Sequence, residues 1–177
     1  MKIKYLIIVI LLISCSNSKE RPTNVIIERS IVNSLNDTLF TEKNLIADSI
    51  IYSVMIVNTD EYDSWSSFRL RNMNQIKIVS EIFDKIYAGE IIAYEYHENR
   101  PLSIDEVKQL ENRSDFSREL IEEIMFEESW FYSPETNTFH KEVYSLVFAY
   151  ATYTDDGVRK DALKAAFKIY LKKQSSG

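Results

Sequence analysis

Two hydrophobic periods meet between Asn74 and Tyr96, and that junction restricts the chain to folds that mix helix and strand. From Asn74 to Ala88, Ile78, Val79, Ile82, Phe83, Ile86 and Tyr87 recur at spacings of three and four, which predicts one apolar face of a helix. Gly89 is a natural stop, because glycine enters the left-handed cap conformation without a side-chain clash. Ile91 to Tyr96 then predicts a short strand, and Glu98, Asn99, Arg100 and Pro101 a polar loop. Ser103, three residues before Glu106, forms a capping box for a second helix with Val107 and Leu110 inward.

Other segments extend the pattern. Asp48 to Asn58, rich in β-branched residues and closed by Asn58, Thr59 and Asp60, predicts a buried strand. Ser117 to Phe126 fits a third helix, with Leu120, Ile121 and Ile124 inward and Glu119, Glu122 and Glu123 on a solvated face. Trp130, Phe131 and Tyr132 lead into the turn residues Ser133 to Asn137. A β-rich run from Phe139 to Thr154 follows, so a hairpin is expected. Asp155, Asp156 and Gly157 signal another tight turn. Lys160 to Lys173 alternates as a strand would yet also fits a helix, toward which propensity leans. Val25 to Ile50 has clumped apolar residues and receives no assignment up to Asp48. The expected class is α+β: a single domain with two or three helices packed on a small antiparallel sheet.

The first residues stand apart from that domain. Lys2 and Lys4 precede an apolar stretch of nine residues, Tyr5 to Ile13, followed by Ser14 and the only cysteine, Cys15. This is the order of a signal peptide, and it is too short to cross a bilayer, which needs roughly twenty apolar residues. Leu12, Ile13, Ser14 and Cys15 resemble the bacterial lipobox, which implies cleavage before Cys15 and lipid attachment to it. Several acyl chains on one cysteine suffice for stable membrane anchoring. Residues 1–14 are thus the expected signal peptide, 15–24 a tether and 25–177 the domain. Loss of the leader takes 177 residues to 163 and, with its two lysines, the formal charge from −6 to −8. The hydrophobic share of 45% supplies a core. The acidic balance argues against nucleic acid as a partner, since no basic stripe is visible.

Chemical motifs are sparse. His97 and His140, the only histidines, have no metal-ligand spacing, even with Glu95 and Glu98 beside His97. Glu122 with Glu123, and Glu127 with Glu128, are expected on or beside a helix surface, and Asp155 with Asp156 in a turn. With 3 glycines in the chain, a phosphate-cradling loop is not expected, nor is a bound nucleotide. No catalytic residue, metal or cofactor is assigned. Aromatic residues remain as interaction candidates: Trp65 beside Tyr62 and Phe68, Tyr94 and Tyr96 on one strand face, Trp130 and Tyr132 on another. Asp37, Thr38, Leu39 and Asp48, Ser49, Ile50 resemble the three-residue O-glycosylation signal of gliding and gut bacteria.

Two runs carry a family resemblance. The first is Ile82, Phe83, Asp84, Lys85, Ile86, Tyr87, Ala88, Gly89, Glu90, Ile91, Ile92, Ala93, Tyr94, then Pro101, Leu102, Ser103, Glu106 and Val107. The second is Ile124 to Tyr132, with Trp130 and its two aromatic followers, then Phe139, His140, Lys141, Glu142, Val143 and Tyr144. Together, over about residues 74 to 150, they resemble the GldN or PorN proteins of gliding motility and type IX secretion. Ser133 stands where that family has an aspartate, and the family's upstream tryptophan-rich segment and its long glycine- and proline-bearing sequence after the second strand are not recognisable. The resemblance implies a non-enzymatic component facing the periplasm, which in that family joins a lipoprotein partner to build a ring beneath the outer membrane; the expected partners are other envelope proteins or copies of this chain. The alternative expectation is a surface lipoprotein that binds glycan or peptide through exposed aromatics.

Overall fold

The computed structural model describes residues 42–171. The leader, Cys15, the tether, the clumped stretch up to residue 41 and the Asp37, Thr38, Leu39 triplet lie outside the described residues, as do Lys172 and Lys173. The elements are β1 (Leu45–Met55), α1 (Ser64–Leu70), α2 (Gln75–Tyr87), β2 (Ala93–Tyr94), α3 (Ile104–Glu111), β3 (Ile121–Ser133), β4 (Thr138–Tyr150) and β5 (Lys164–Tyr170). The five strands form one antiparallel sheet in the order β1-β3-β4-β5-β2. Among the described residues the protein is a single α+β domain of three helices and that sheet.

Helix α2 begins where Asn74 accepts a hydrogen bond from the Lys77 amide and ends in Gly89 at φ +73°. Its Val79, Phe83 and Ile86 are buried. The Phe83 ring meets Phe167 edge-on at 5.2 Å and Phe116 at 6.3 Å, while Phe116 meets Tyr150 at 4.9 Å. The Gln75 side chain donates to the carbonyls of Arg118 and Ile121, pinning the start of α2 to the start of β3. In α3 both halves of the Ser103–Glu106 capping box form, and Val107 is buried.

The structure corrects four expectations about elements. Ser117 to Phe126 is a short 3-10 turn, Arg118–Leu120, running into the central strand β3. Register explains the misleading pattern: Ile121 pairs with Tyr150 but Glu123 with Ala149, so Glu122 is an extra, bulged residue. The bulge resets the strand's phase and puts Ile121 and Ile124 on one face, three apart, as a helix would. Lys160 to Lys173, where propensity favours helix, holds strand β5: its buried Phe167 and Ile169 sit two apart, and pairing with β4 overrides the weak helix propensity. Phe148 pairs with Phe167 and Ala149 with Ala165, so Ala166 is the extra residue of β5. The predicted buried strand, β1, is an edge strand with Ile46 and Ile51 largely exposed. Finally, the run from Phe139 leaves the sheet at Tyr150, short of Thr154, although the hairpin and the Gly157 turn form as expected.

Candidate functional site

Helix α1 is held from its ends rather than by a core. Asp63 caps it, accepting from the Ser66 amide at 3.0 Å and the Ser66 hydroxyl at 2.6 Å. Those bonds, the hydroxyl's first, hold the Asp63 carboxyl below the usual range. The Asn58 side chain donates to the Asp63 carbonyl and the Ser67 hydroxyl, tying the helix to the chain leaving β1. No residue of α1 is buried. A helix this short is marginal by itself, and burial of an apolar face usually sustains it. Here the apolar groups point outward: Trp65 is 64% exposed and Phe68 54%, their rings stacked at 5.7 Å. The Arg71 guanidinium lies 4.1 Å from the Phe68 ring centroid and donates to the Phe68 carbonyl. Tyr62, Met73 and Ile76 are exposed in the adjoining turns and the first turn of α2.

The other candidates fall in two further places. Trp130 and Tyr132, two apart on β3, share its helix-facing side by strand alternation but lie toward the hairpin end. Trp130 is half-buried, edge-on to Phe139 at 5.6 Å, and its indole N–H donates to Glu128. Glu128 is 1% exposed and also accepts from the Lys141 ammonium at 2.7 Å and the Tyr52 hydroxyl at 3.1 Å. Lys141 in turn lies 4.8 Å from the Trp130 ring and 5.1 Å from the Tyr52 ring. Burial works against the Glu128 charge, yet the bonds from Lys141, Trp130 and Tyr52 together hold its carboxyl below the usual range. Trp130 thus completes a closed ion-pair cluster. Tyr132 remains exposed, its hydroxyl on Asn137.

Tyr94 packs edge-on against Tyr170 at 5.1 Å. Tyr96, expected on the same strand face, lies in the turn beyond the two-residue β2 and rests on His97. It lines a shallow groove of about 420 Å³ across the sheet face opposite the helices, floored by Met55, Met125, Val147 and Ala165. Arg159 at its rim is paired with Glu122.

The carboxylates expected on a solvated helix are thus partly interior. Glu122 and Glu128 are buried and ion-paired, and Glu127, half-buried, accepts from Ser145 and pairs with Lys168. The sequence pattern misses these clusters because the cations lie far along the chain: Lys141 on β4, Lys168 on β5 and Arg159 in the connection between them. Of the glycosylation-like triplets, Ser49 is exposed at a bulge of β1 with φ +51°, and Asp48 accepts from Ser129. Among the described residues no group of three or more His, Cys, Asp or Glu is arranged to hold a metal, and no helix is long and apolar enough to cross a membrane. A glycan platform would want parallel aromatic faces across an open groove. Among the described residues Tyr96 is the one aromatic lining this groove, and the rings of the stacked pairs Trp65–Phe68 and Tyr52–Phe126 close on each other. Comparison with known family models finds no match, and comparison with curated proteins finds none.

Proposed function

We propose that the chain is a non-enzymatic, lipid-anchored protein of the outer membrane, facing the periplasm, that acts by holding other envelope proteins. The GldN or PorN likeness of residues 74 to 150 implies that role, and the lipobox-like Leu12 to Cys15 supplies the anchor. One observation carries the reading: the stacked, exposed Trp65 and Phe68 on a helix with no fully buried residue. An exposed, contiguous aromatic patch is a usual mark of a protein contact. Arg71 over Phe68 adds a cation of the kind enriched at interface centres.

The test is affinity purification of the lipidated protein in mild detergent, with mass spectrometry of what accompanies it. Secretion or motility ring components should be recovered with the native chain and lost with Trp65→Ala. A chain that returns alone, or whose companions are indifferent to Trp65→Ala, would overturn the assignment.

A further inference from the structure

We infer that the outer edge of β1 is a pairing surface for the β1 strand of a second copy of this chain, joined antiparallel about a two-fold axis. The hydrogen-bond phase of β1 places its free groups. The Ile56 amide donates to the Glu122 carbonyl at 2.8 Å, directed toward β3. In an antiparallel ladder that orientation repeats every second residue. Val54, Tyr52 and Ile50, facing Ile124, Phe126 and Glu128, therefore also turn their backbone groups to β3. Ile51, Ser53 and Met55 turn their N–H and C=O groups outward. Among the described residues no strand lies on that side of β1.

Native sheets protect such an edge with charge, proline, bulges or a cover. Both irregularities of β1 fall before Ile50, leaving the register from Ile50 to Met55 continuous. From Ile50 to Val57 the sequence is Ile, Ile, Tyr, Ser, Val, Met, Ile, Val, with no charge, proline or glycine. A neutral edge gives a charged strand no complement. It suits a neutral one, and this chain presents one with matching outward groups.

A two-fold axis at Ser53 sets Ile51 of one copy against Met55 of the other. Both side chains lie on the groove face, since each is an odd step from Tyr52. Pairing there covers Ile51, which is 63% exposed, and continues the apolar groove floor from Met55 into the second copy. Isologous contacts of this kind close on themselves as a dimer. The pairing requires neither the lipid anchor nor helix α1.

The full lipidated chain carrying Ser53→Cys, extracted in mild detergent and oxidised, should form a disulfide-linked species of two chains. The unmodified chain gives the background, and Lys77→Cys, on the exposed face of α2, gives the rate of random collision. Adding Ile51→Lys should lower Ser53→Cys cross-linking by at least about tenfold, because charge on an edge opposes strand addition. Trp65→Ala should leave it unchanged, which separates this pairing from the contact assigned to α1. The inference is overturned if Ser53→Cys links no faster than Lys77→Cys, or if linking survives Ile51→Lys. It is equally overturned if the cysteine is shielded from alkylation while the chain remains single, which would mean that another strand occupies the edge.

Discussion

The two edges of the sheet are built in opposite ways. At the β2 edge the strand is two residues long and turns back at once: Tyr94 bridges Pro101, the Leu102 amide donates to the Ala93 carbonyl and the Glu95 amide to the Arg100 carbonyl. Pro101 has no N–H to offer a further strand. Arg100 then pairs with Glu106 at 2.9 Å, so the capping box of α3 also fastens the turn. The β1 edge is eleven residues long and, over its last six, neutral and regular. Two edges of one sheet treated so differently teach that protection was available to this fold, and among the described residues it is withheld on one side. An edge left open is a hazard unless something pairs with it.

The largest expected effect lies beside the closed edge. Phe167 on β5 is fully buried against Phe83 and Phe148, so Phe167→Ala should cost about 3–5 kcal/mol in urea unfolding. Val54→Ala on the open edge, where the side chain is 37% exposed, should cost about 1 kcal/mol or less. Equal losses would break the comparison, because they would mean that β1 is as much a part of the core as β5.

Next comes the Glu128 cluster, which fastens β1 through Tyr52 to β3 and β4. Lys141→Met leaves a buried carboxylate with two neutral donors and should destabilise by about 1–3 kcal/mol. The partial exposure of Lys141 keeps this below the loss expected of a fully buried pair. Replacing both groups, Glu128→Leu with Lys141→Met, should cost less than Lys141→Met alone, since the uncompensated charge is gone. A double mutant weaker than the single would show that the charge itself holds β1.

The closed edge has its own titration. Arg100, with the Ser103 amide and hydroxyl, brings the Glu106 carboxyl from 4.5 to about 2. A carboxyl depressed in the folded state contributes stability that is whole above the unfolded value of 4.5 and is lost as pH falls toward 2. Glu106→Gln should therefore lower stability at neutral pH by an amount that shrinks steadily below pH 4.5. The comparison of melting curves at neutral and low pH reads this directly, and a pH-independent gap would detach the ion pair from the edge.

How far the sequence foretold these features follows from the range of the interactions. Helix α2, Gly89 and the α3 capping box are legible because their signals sit within a few residues, as period, cap and stop. Strand β3 is hidden because the bulge at Glu122 shifts the alternation toward a helical spacing, and β5 because its residues lean to helix by propensity, which pairing with β4 overrides. The edge position of β1 was hidden for another reason: a β-branched run reads as buried until strand order is known, and order is a long-range property. Trp65 could be singled out by its polar neighbours Ser64, Ser66 and Ser67. The role of Trp130 in sealing Glu128 depends on Lys141 and Tyr52, from other strands, and left no local mark.

The smallest effect on the fold should come from Ile51→Lys, and it sharpens the comparison most. The side chain is exposed and its backbone groups face away from β3, so the substitution removes little packing and no ladder bond. Surface changes of this kind stay within about 0.5 kcal/mol. At high dilution the variant should therefore melt with the native chain. A native chain that pairs through β1 is stabilised by its own concentration, since the partner binds only the folded form. Its melting temperature should climb with protein concentration, while that of Ile51→Lys stays flat. If both curves climb together, association lies elsewhere on the molecule. If the variant is lower even at dilution, the free edge contributes to the fold itself, and the difference between the two edges is one of packing rather than of pairing.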